Sequence, residues 1–279
     1  MFRRDLLSIV HPRPSDTGGL VYVEGVEEEG GISTGTARSP ATGETYEIGH
    51  GYLDLLKDRS GVHNAANLTN LLPGAGRGYE PLWRVRSLSL LTGEHFPNER
   101  EVGIISELVS LERGGDASCR YLDLGCSAGL YARNMARSLS GRGTVVGIDI
   151  SPSMLKEAGR RSREAGSPVS LARADIQNLP FADAVFSGAV CGGTLNELGD
   201  PARALRETRR VLEPGGRIAI MGILRATTTR GRRLQHFLAT GGLRFFDPEE
   251  MRSLLDHAGF EPDPLRIHGA VFFASATRR

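Results

Sequence analysis

The chain has 279 residues, of which 39% are hydrophobic and 24% charged, as in an ordinary globular protein. Its formal net charge of +1 gives no overall field that would draw it to nucleic acid. Its three cysteines (Cys119, Cys126 and Cys191) match neither a disulfide framework nor a zinc site, and no apolar stretch is long enough to span a membrane. We expect a cytoplasmic protein that holds no metal.

Two regions precede the main part of the chain. Residues 1–58 contain short β-like runs between Gly, Ser, Thr and Pro clusters, which predict a small β-rich segment. Residues 59–116 show apolar positions at helical spacing, which predict a helical cap or linker. Within them, Asn98 followed by Glu101 predicts a helix start with a capping box.

From residue 117 to 279, strands and helices alternate. This order predicts an α/β fold with a Rossmann-like, seven-stranded, mostly parallel sheet and helices on both faces. The last two apolar runs are joined too tightly for a helix to fit between them, so the last strand should be antiparallel. The predicted strands cover residues 121–124, 144–150, 169–174, 184–190, 217–223, 265–268 and 271–275.

A glycine loop follows the first of these strands. In LDLGCSAGLYAR, Gly125 and Gly129 flank three small residues, so a ligand can approach the backbone closely at the start of the next helix. The spacing is not the Gly-x-Gly-x-x-Gly of dinucleotide-binding proteins, and the Gly-Lys-Ser/Thr of a phosphate-binding P-loop is missing. A carboxylate or a phosphate would suit the helix start.

Carboxylates stand near the ends of three successive strands. Asp123 suits a cationic ligand, and Asp149, about 20 residues beyond the loop, can accept both hydroxyls of a ribose. Asp149 could instead cap the next helix, although serines nearby already suit that role. Asp175 can accept a bond from an adenine amino group. Met154 and Ile176 could sandwich the adenine ring or simply pack in the core.

The ordered motifs YLDLGCSAGLYARNMA, VVGIDISPSML, RADIQNLPF and RRVLEPGGRIAI resemble those of class I S-adenosylmethionine-dependent methyltransferases. The similarity is greatest to the subgroup that includes ubiquinone and menaquinone C-methyltransferases. It implies S-adenosylmethionine as cofactor, with the glycine loop at its methionine part. The cofactor-binding residues expected on this basis are Tyr79, Arg84, Asp123, Gly125, Cys126, Ser127, Gly129, Asp149, Ile150, Met154, Asp175, Ile176 and Cys191.

The acceptor side departs from that subgroup, which often has Leu-His-His-Leu where this chain has Leu195-Asn196-Glu197-Leu198. Asn196 or Glu197 could face the acceptor or merely cap the loop. Residues 224–247 occupy the position of a substrate lid and are rich in Arg and Phe, so they could bind an anionic acceptor or form solvated surface. We predict Glu197 and His236 as catalytic residues, with His50 as a further candidate base.

Three functions remain open at the level of sequence. The first is methylation of an oxygen or carbon of a small, lipophilic or aromatic metabolite. The second is methylation of a tRNA or rRNA base, because residues 38–56 resemble the closing half of a zinc ribbon that precedes some rRNA guanine methyltransferases, although its cysteines are absent. The third is non-catalytic binding of S-adenosylmethionine. The sequence does not identify the acceptor or the oligomeric state.

Overall fold

The computed structural model describes residues 1–13, 16–28, 30–56, 85–111 and 119–279, which form one twelve-stranded sheet with helices packed against it. The strands are β1 (Val21–Glu28), β2 (Gly31–Arg38), β3 (Thr45–Gly49), β4 (Tyr52–Asp54), β5 (Arg120–Leu124), β6 (Thr144–Asp149), β7 (Ser170–Arg173), β8 (Phe186–Gly192), β9 (Leu212–Ile223), β10 (Phe260–Pro262), β11 (Arg266–His268) and β12 (Val271–Arg278). The helices are α1 (Val85–Thr92), α2 (Asn98–Leu108), α3 (Leu130–Leu139), α4 (Pro152–Glu164), α5 (Pro201–Val211), α6 (Thr229–Thr240) and α7 (Pro248–His257).

The Rossmann-like part of the sheet has the strand order β7-β6-β5-β8-β9-β12-β10. Six of these strands were predicted, and the seventh predicted strand, β11, pairs with β12 beside this path. Strand β12 is antiparallel to both of its neighbours, and β11 folds back on it as a short antiparallel hairpin. The predicted α/β fold with an antiparallel last strand is therefore confirmed. Strand β10 was missed in the sequence because three residues are too few to show the alternation of a strand.

The central parallel strands of the sheet are buried on both faces. Along β9, Ile218 and Ile220 belong to one hydrophobic core, while Ala219 and Met221 belong to a second. Helices α5 and α7 contribute to the first core, and α2, α3 and α4 contribute to the second. Successive strand residues point to opposite faces, so helices cover both sides.

Helix starts follow local capping rules with one exception. The side chains of Ser151 and Asp200 accept the expected backbone bonds at the starts of α4 and α5. The capping box predicted at Asn98 is wrong, because α2 begins at Asn98 itself and that side chain makes no cap. Glu101 is instead fully buried and accepts a hydrogen bond from the hydroxyl of Tyr131, which ties α2 to α3.

The four amino-terminal strands extend the central sheet. They pair antiparallel in sequence order, and β4 then pairs in parallel with β7. Arg173 strengthens this seam through an ion pair with Asp54 at 3.1 Å. The predicted domain boundaries near residues 58 and 116 stay a prediction. In the part of the chain that the structure describes, no helix is long and apolar enough to cross a membrane.

Candidate active site

A cavity of about 1130 Å³ opens at the carboxyl ends of the central parallel strands. Its floor includes Gly125 and Ser127 after β5, Asp149 at the end of β6, and Asp175 after β7. Open parallel sheets bind their ligands at this edge. Ligand pockets usually measure about 300–1,000 Å³, so the cavity has room for a cofactor and a second small molecule.

The glycine loop is held tightly beneath the cavity. Gly125 adopts a φ of +68°, and a Cβ at this position would collide with the side chain of Thr194. The Cys126 backbone N–H donates to the carbonyl of Ile148 at 2.8 Å, which joins the loop to β6. Gly129, with φ +81°, is the residue from which α3 starts. The loop therefore needs glycine at Gly125 for space as well as for backbone conformation.

Asp149 is the best-oriented carboxylate in the cavity. Its Oδ2 accepts a bond from the backbone N–H of Ser127 at 2.8 Å, and its Oδ1 accepts one from Ser151 at 2.8 Å. Burial raises the pKa of Asp149, while these backbone bonds act in the opposite direction. Because an ionised carboxylate has about four acceptor positions, its oxygens retain capacity for the two hydroxyls of a ribose.

Four predicted cofactor residues lie behind this surface and do not line the cavity. Asp123 is buried and accepts a bond from the Ala132 backbone N–H at 2.9 Å, so its carboxylate stabilises the first turn of α3. Burial raises the pKa of Cys191 to about 12 and that of Cys126 well above its usual value, so both thiols stay protonated. For these three residues and for Gly129, direct contact with the cofactor stays a prediction.

The adenine-side residues do reach the cavity. Ile150, Met154, Asp175 and Ile176 all line it. Met154 and Ile176 are also buried in the protein, so the packing interpretation and the ligand interpretation apply together. The Asp175 Oδ1 accepts the backbone N–H of Gln177 at 2.9 Å, which fixes the direction of its carboxylate. The remaining predicted residues, Tyr79 and Arg84, lie outside the described residues.

Asn196 and Glu197, which stand where related enzymes often have two histidines, have different surroundings. Asn196 is buried, and its amide donates to the carbonyls of Ile223 and Arg244, at 3.0 and 2.7 Å, while its Oδ1 accepts the Ile223 N–H. Asn196 and Glu197 both line the cavity, but only Glu197 carries a titratable side chain. Burial raises the pKa of Glu197 to about 7, and the charge of Asp149 acts in the same direction. Asn196 therefore fastens the lid segment, and Glu197 is the titratable group beside it.

The other predicted bases do not reach the cavity. His236 lies on the exposed side of α6, whereas Gly231, Leu234, Gln235 and Leu238 of that helix line the cavity. The 3.6-residue period of a helix separates these two sides. His50 lies in the turn after β3 and does not line the cavity either. We therefore assign no catalytic role to either histidine.

The lid segment, residues 224–247, contains α6 and is fastened at its base. The Gln235 side chain donates to the Leu224 carbonyl at 2.8 Å and accepts the Ala226 N–H at 2.7 Å. Arg225 and Arg244 form ion pairs with Asp247 and Glu250, at 3.0 and 2.7 Å. These two arginines, expected as possible anion-binding groups, are therefore compensated by carboxylates of the protein.

Sequence reasoning missed a set of residues that complete the cavity wall. They come from α1, from the 3₁₀ turn after β8, from α6 and from the β11–β12 hairpin: Leu88, Leu90, Leu91, Thr194, Gln235, Ile267, Gly269 and Ala270. Three leucines at helical spacing were a signal for α1, but only the folded sheet brings that helix to the mouth of the cavity.

Comparison with known proteins agrees with this geometry. The family model described as "Methyltransferase domain" matches residues 122–220, which span β5 to β9. Residues 122–220 of this chain are therefore similar to a methyltransferase domain. The predicted cofactor, S-adenosylmethionine, is the methyl donor of this domain. The fit is supported by the position of Gly125 in the cavity lining and by the carboxylate of Asp149, which backbone N–H groups orient there.

The relatives of this methyltransferase domain include quinone-modifying enzymes. The chain is 37% identical over 116 residues to a 2-phytyl-1,4-naphtoquinone methyltransferase of Nostoc punctiforme, covering 41% of this chain and 50% of that protein. It is 29% identical over 178 residues to a demethylmenaquinone methyltransferase of Desulfitobacterium hafniense, covering 62% and 65%. The first match therefore spans half the length of that relative.

A solved structure shares the fold of the methyltransferase domain with a different named activity. The [4+2]-cyclase SpnF superposes with a TM-score of 0.55 at 21% identity, covering 73% of this chain and 94% of that one. The fold therefore does not determine the reaction, which depends on the residues of the site.

Proposed function

We propose that the chain transfers a methyl group from S-adenosylmethionine to a small lipophilic acceptor. The observation that carries this proposal is the division of one cavity into two chemically different halves. The floor presents Asp149 and Asp175 beside the glycine loop. The opposite half is lined mainly by apolar side chains from α1, β9, the lid segment and the β11–β12 hairpin: Leu88, Leu90, Leu91, Met221, Ile223, Leu224, Leu234, Leu238, Leu243, Phe245 and Ile267.

The floor supports assignment of the adenosine part to Asp149 and Asp175. Both oxygens of Asp149 are fixed by backbone N–H groups, so the carboxylate is oriented before a ligand arrives. Ser127, Ile150, Met154 and Ile176 would surround the nucleoside, and Gly125 would allow the methionine part to approach the backbone. We assign Asp123, Cys126, Gly129 and Cys191 to holding that floor in place.

The apolar half supports a lipophilic acceptor. Among the residues that the structure describes, the one arginine that lines the cavity, Arg225, is paired with Asp247, which disfavours an anionic acceptor inside the cavity. The two quinone methyltransferases named above act on acceptors of this lipophilic kind, by their names. We infer that the acceptor is an aromatic ring with an aliphatic substituent, methylated on carbon or oxygen.

Glu197 is the proposed proton acceptor. S-adenosylmethionine, when bound, supplies an electrophilic methyl group on a sulfonium. Asp149, Asp175 and the glycine loop would hold the cofactor, so that its methyl group would face the acceptor's carbon or oxygen in the apolar half and its sulfur would leave as a neutral thioether. The acceptor's proton passes to the Glu197 carboxylate, which is suited to this role because its pKa of about 7 lies near neutral pH. The walls exclude water and align the two reactants.

Calorimetric titration with S-adenosylhomocysteine tests the cofactor half. Asp149→Ala should weaken binding by about 1–3 kcal/mol, or roughly 5- to 150-fold, because it removes the ribose acceptor. The matched control is Asp256→Ala, which removes an exposed carboxylate that pairs with Arg279 on the surface. An affinity unchanged by Asp149→Ala would refute the ribose assignment.

Transfer of radiolabelled methyl to an alkylated naphthoquinol tests the reaction itself. Cofactor binding with no transfer to any lipophilic phenol or quinol would favour the non-catalytic alternative. Labelling of tRNA or rRNA in preference to the quinol would favour the RNA alternative. Either result would remove the proposed acceptor class while leaving the cofactor assignment intact.

A further inference from the structure

Helix α6 carries an exposed apolar surface at the mouth of the cavity. Phe237 is 72% exposed and Leu234 is 60% exposed, while Leu90 of α1 and Ile267 of β11 are 84% and 49% exposed. Leu90, Leu234 and Ile267 also line the cavity, so the exposed surface and the apolar interior are continuous. We name these four residues the mouth patch.

The same helix is basic beside that patch. Arg230, Arg232 and Arg233 are exposed, and none of them forms an ion pair with a residue that the structure describes. With a rotation of about 100° per residue, Arg230 and Arg233 flank Phe237, whereas Arg232 lies on the other side of the helix. Helix α6 has no buried residue along its length. Its outer face therefore combines an aromatic group with two uncompensated cations.

We propose that the mouth patch docks on the surface of an anionic lipid bilayer. A helix that places Phe and Leu on one side and arginines at its flanks lies in the headgroup region, where the apolar groups insert and the cations meet lipid phosphates. Docking in this orientation opens the cavity toward the lipid, so a lipophilic molecule passes into the apolar half without crossing water. The attachment is peripheral.

The charge pattern is what selects a membrane over another occupant of the patch. If a second copy of this chain packed on the patch, the same arginines of the two copies would meet. The repulsion between these like charges disfavours such a dimer. An anionic surface instead complements Arg230 and Arg233. The proposal goes beyond the methyl transfer proposed above, because lipid binding needs neither the cofactor nor the acceptor.

Co-sedimentation of the full chain with vesicles tests the proposal. Binding is expected to vesicles of phosphatidylcholine mixed with phosphatidylglycerol, and to weaken as salt is raised, because exposed charges are screened. The double variant Arg230→Ser, Arg233→Ser should weaken vesicle binding by about tenfold or more, because each arginine near the surface contributes roughly fivefold. Phe237→Ser should weaken it by about tenfold, because the inserted ring is lost.

Two matched controls isolate the patch. Arg232→Ser removes the same charge from the other side of α6, and Val23→Ser removes an exposed apolar group from β1, 49% exposed. Both variants should bind vesicles with an affinity within about twofold of that of the wild-type chain. This change is much smaller than the roughly fivefold effect expected for one arginine of the docking face. Binding of S-adenosylhomocysteine by every variant shows that it is folded. Absence of vesicle binding at low salt, or equal loss in the control variants, would overturn the proposal.

Discussion

The floor and the roof of the cavity are built in different ways. The floor consists of strand ends and a glycine loop whose polar groups are held by backbone bonds, as at Asp149. The roof is α6, a helix with no buried residue, fastened through Gln235 and through ion pairs at its base. The floor is therefore fixed by the sheet itself, whereas the roof depends on a few separate contacts.

This difference separates the two halves of the proposed reaction. A rigid floor suits one unchanging cofactor, because binding then costs little reorganisation. A lightly attached roof suits acceptors that differ between related proteins, because its sequence can change without disturbing the sheet. Changes in the floor should therefore abolish cofactor binding, and changes in the roof should alter acceptor binding alone.

The largest expected effect comes from Gly125→Ala in the floor. The added Cβ would collide with Thr194 at a φ of +68°, so the loop must move. We expect about 3 kcal/mol of lost stability, from overpacking together with backbone strain, and at least a hundredfold weaker binding of S-adenosylhomocysteine. Chemical denaturation and calorimetry measure the two quantities.

Gly141→Ala is the matched control for Gly125→Ala. Gly141 also has a positive φ, +80°, but a Cβ there would meet no atom within 4 Å. It should lose about 1 kcal/mol through backbone strain and keep its affinity for S-adenosylhomocysteine. Equal effects at the two glycines would show that conformation alone, and not the shape of the floor, controls cofactor binding.

Glu197→Gln, at the boundary between floor and roof, should affect catalysis but neither the fold nor cofactor binding. If Glu197 accepts the proton, kcat should fall about 10²- to 10⁴-fold while the affinity for S-adenosylhomocysteine stays within about twofold. In the unchanged chain kcat should rise with pH through about 7, because the carboxylate is the active form. In Glu197→Gln, kcat should not rise with pH in this range. A retained pH step would exclude Glu197.

The same variant has a stability readout with a definite sign. Burial raises the pKa of Glu197 from 4.5 to about 7, so folding favours the neutral carboxyl. The contribution of Glu197 to stability should therefore be greatest below pH 4.5, fall as pH rises from 4.5 to about 7, and level off above that. Glu197→Gln should remove this loss, which is at most about 3 kcal/mol at pH 8. Urea denaturation at pH 5 and pH 8 measures it.

The smallest effect is expected from Glu250→Gln, which weakens the base of the roof. Glu250 pairs with Arg244 at 2.7 Å and lies 3.7 Å from Arg225, and all three side chains are at least partly exposed. Stability should change by less than about 1 kcal/mol, as for other surface pairs. The KM for the acceptor should rise severalfold with no change in cofactor affinity. A change in cofactor affinity instead would contradict the independence of the two halves.

The sequence predicted the floor better than the roof for a physical reason. Strand alternation, glycine at a turn and an acidic strand end are local signals, so β5, Gly125 and Asp149 could be identified one by one. The direction of a side chain on a helix is set by what the helix packs against. For this reason His236 of α6 was expected in the cavity, but it lies on the exposed side of the helix and does not line the cavity.

The pairing of β4 with β7 also determines the order in which the molecule can be completed. Asp54 and Arg173, which join at this seam, are 119 residues apart in the chain. During synthesis β1 to β4 emerge first, yet the strand that receives β4 is made much later. Contacts so distant in sequence form slowly. The amino-terminal strands can therefore join the sheet only after the central parallel strands have formed. The pairing of β4 with β7 should form late in folding.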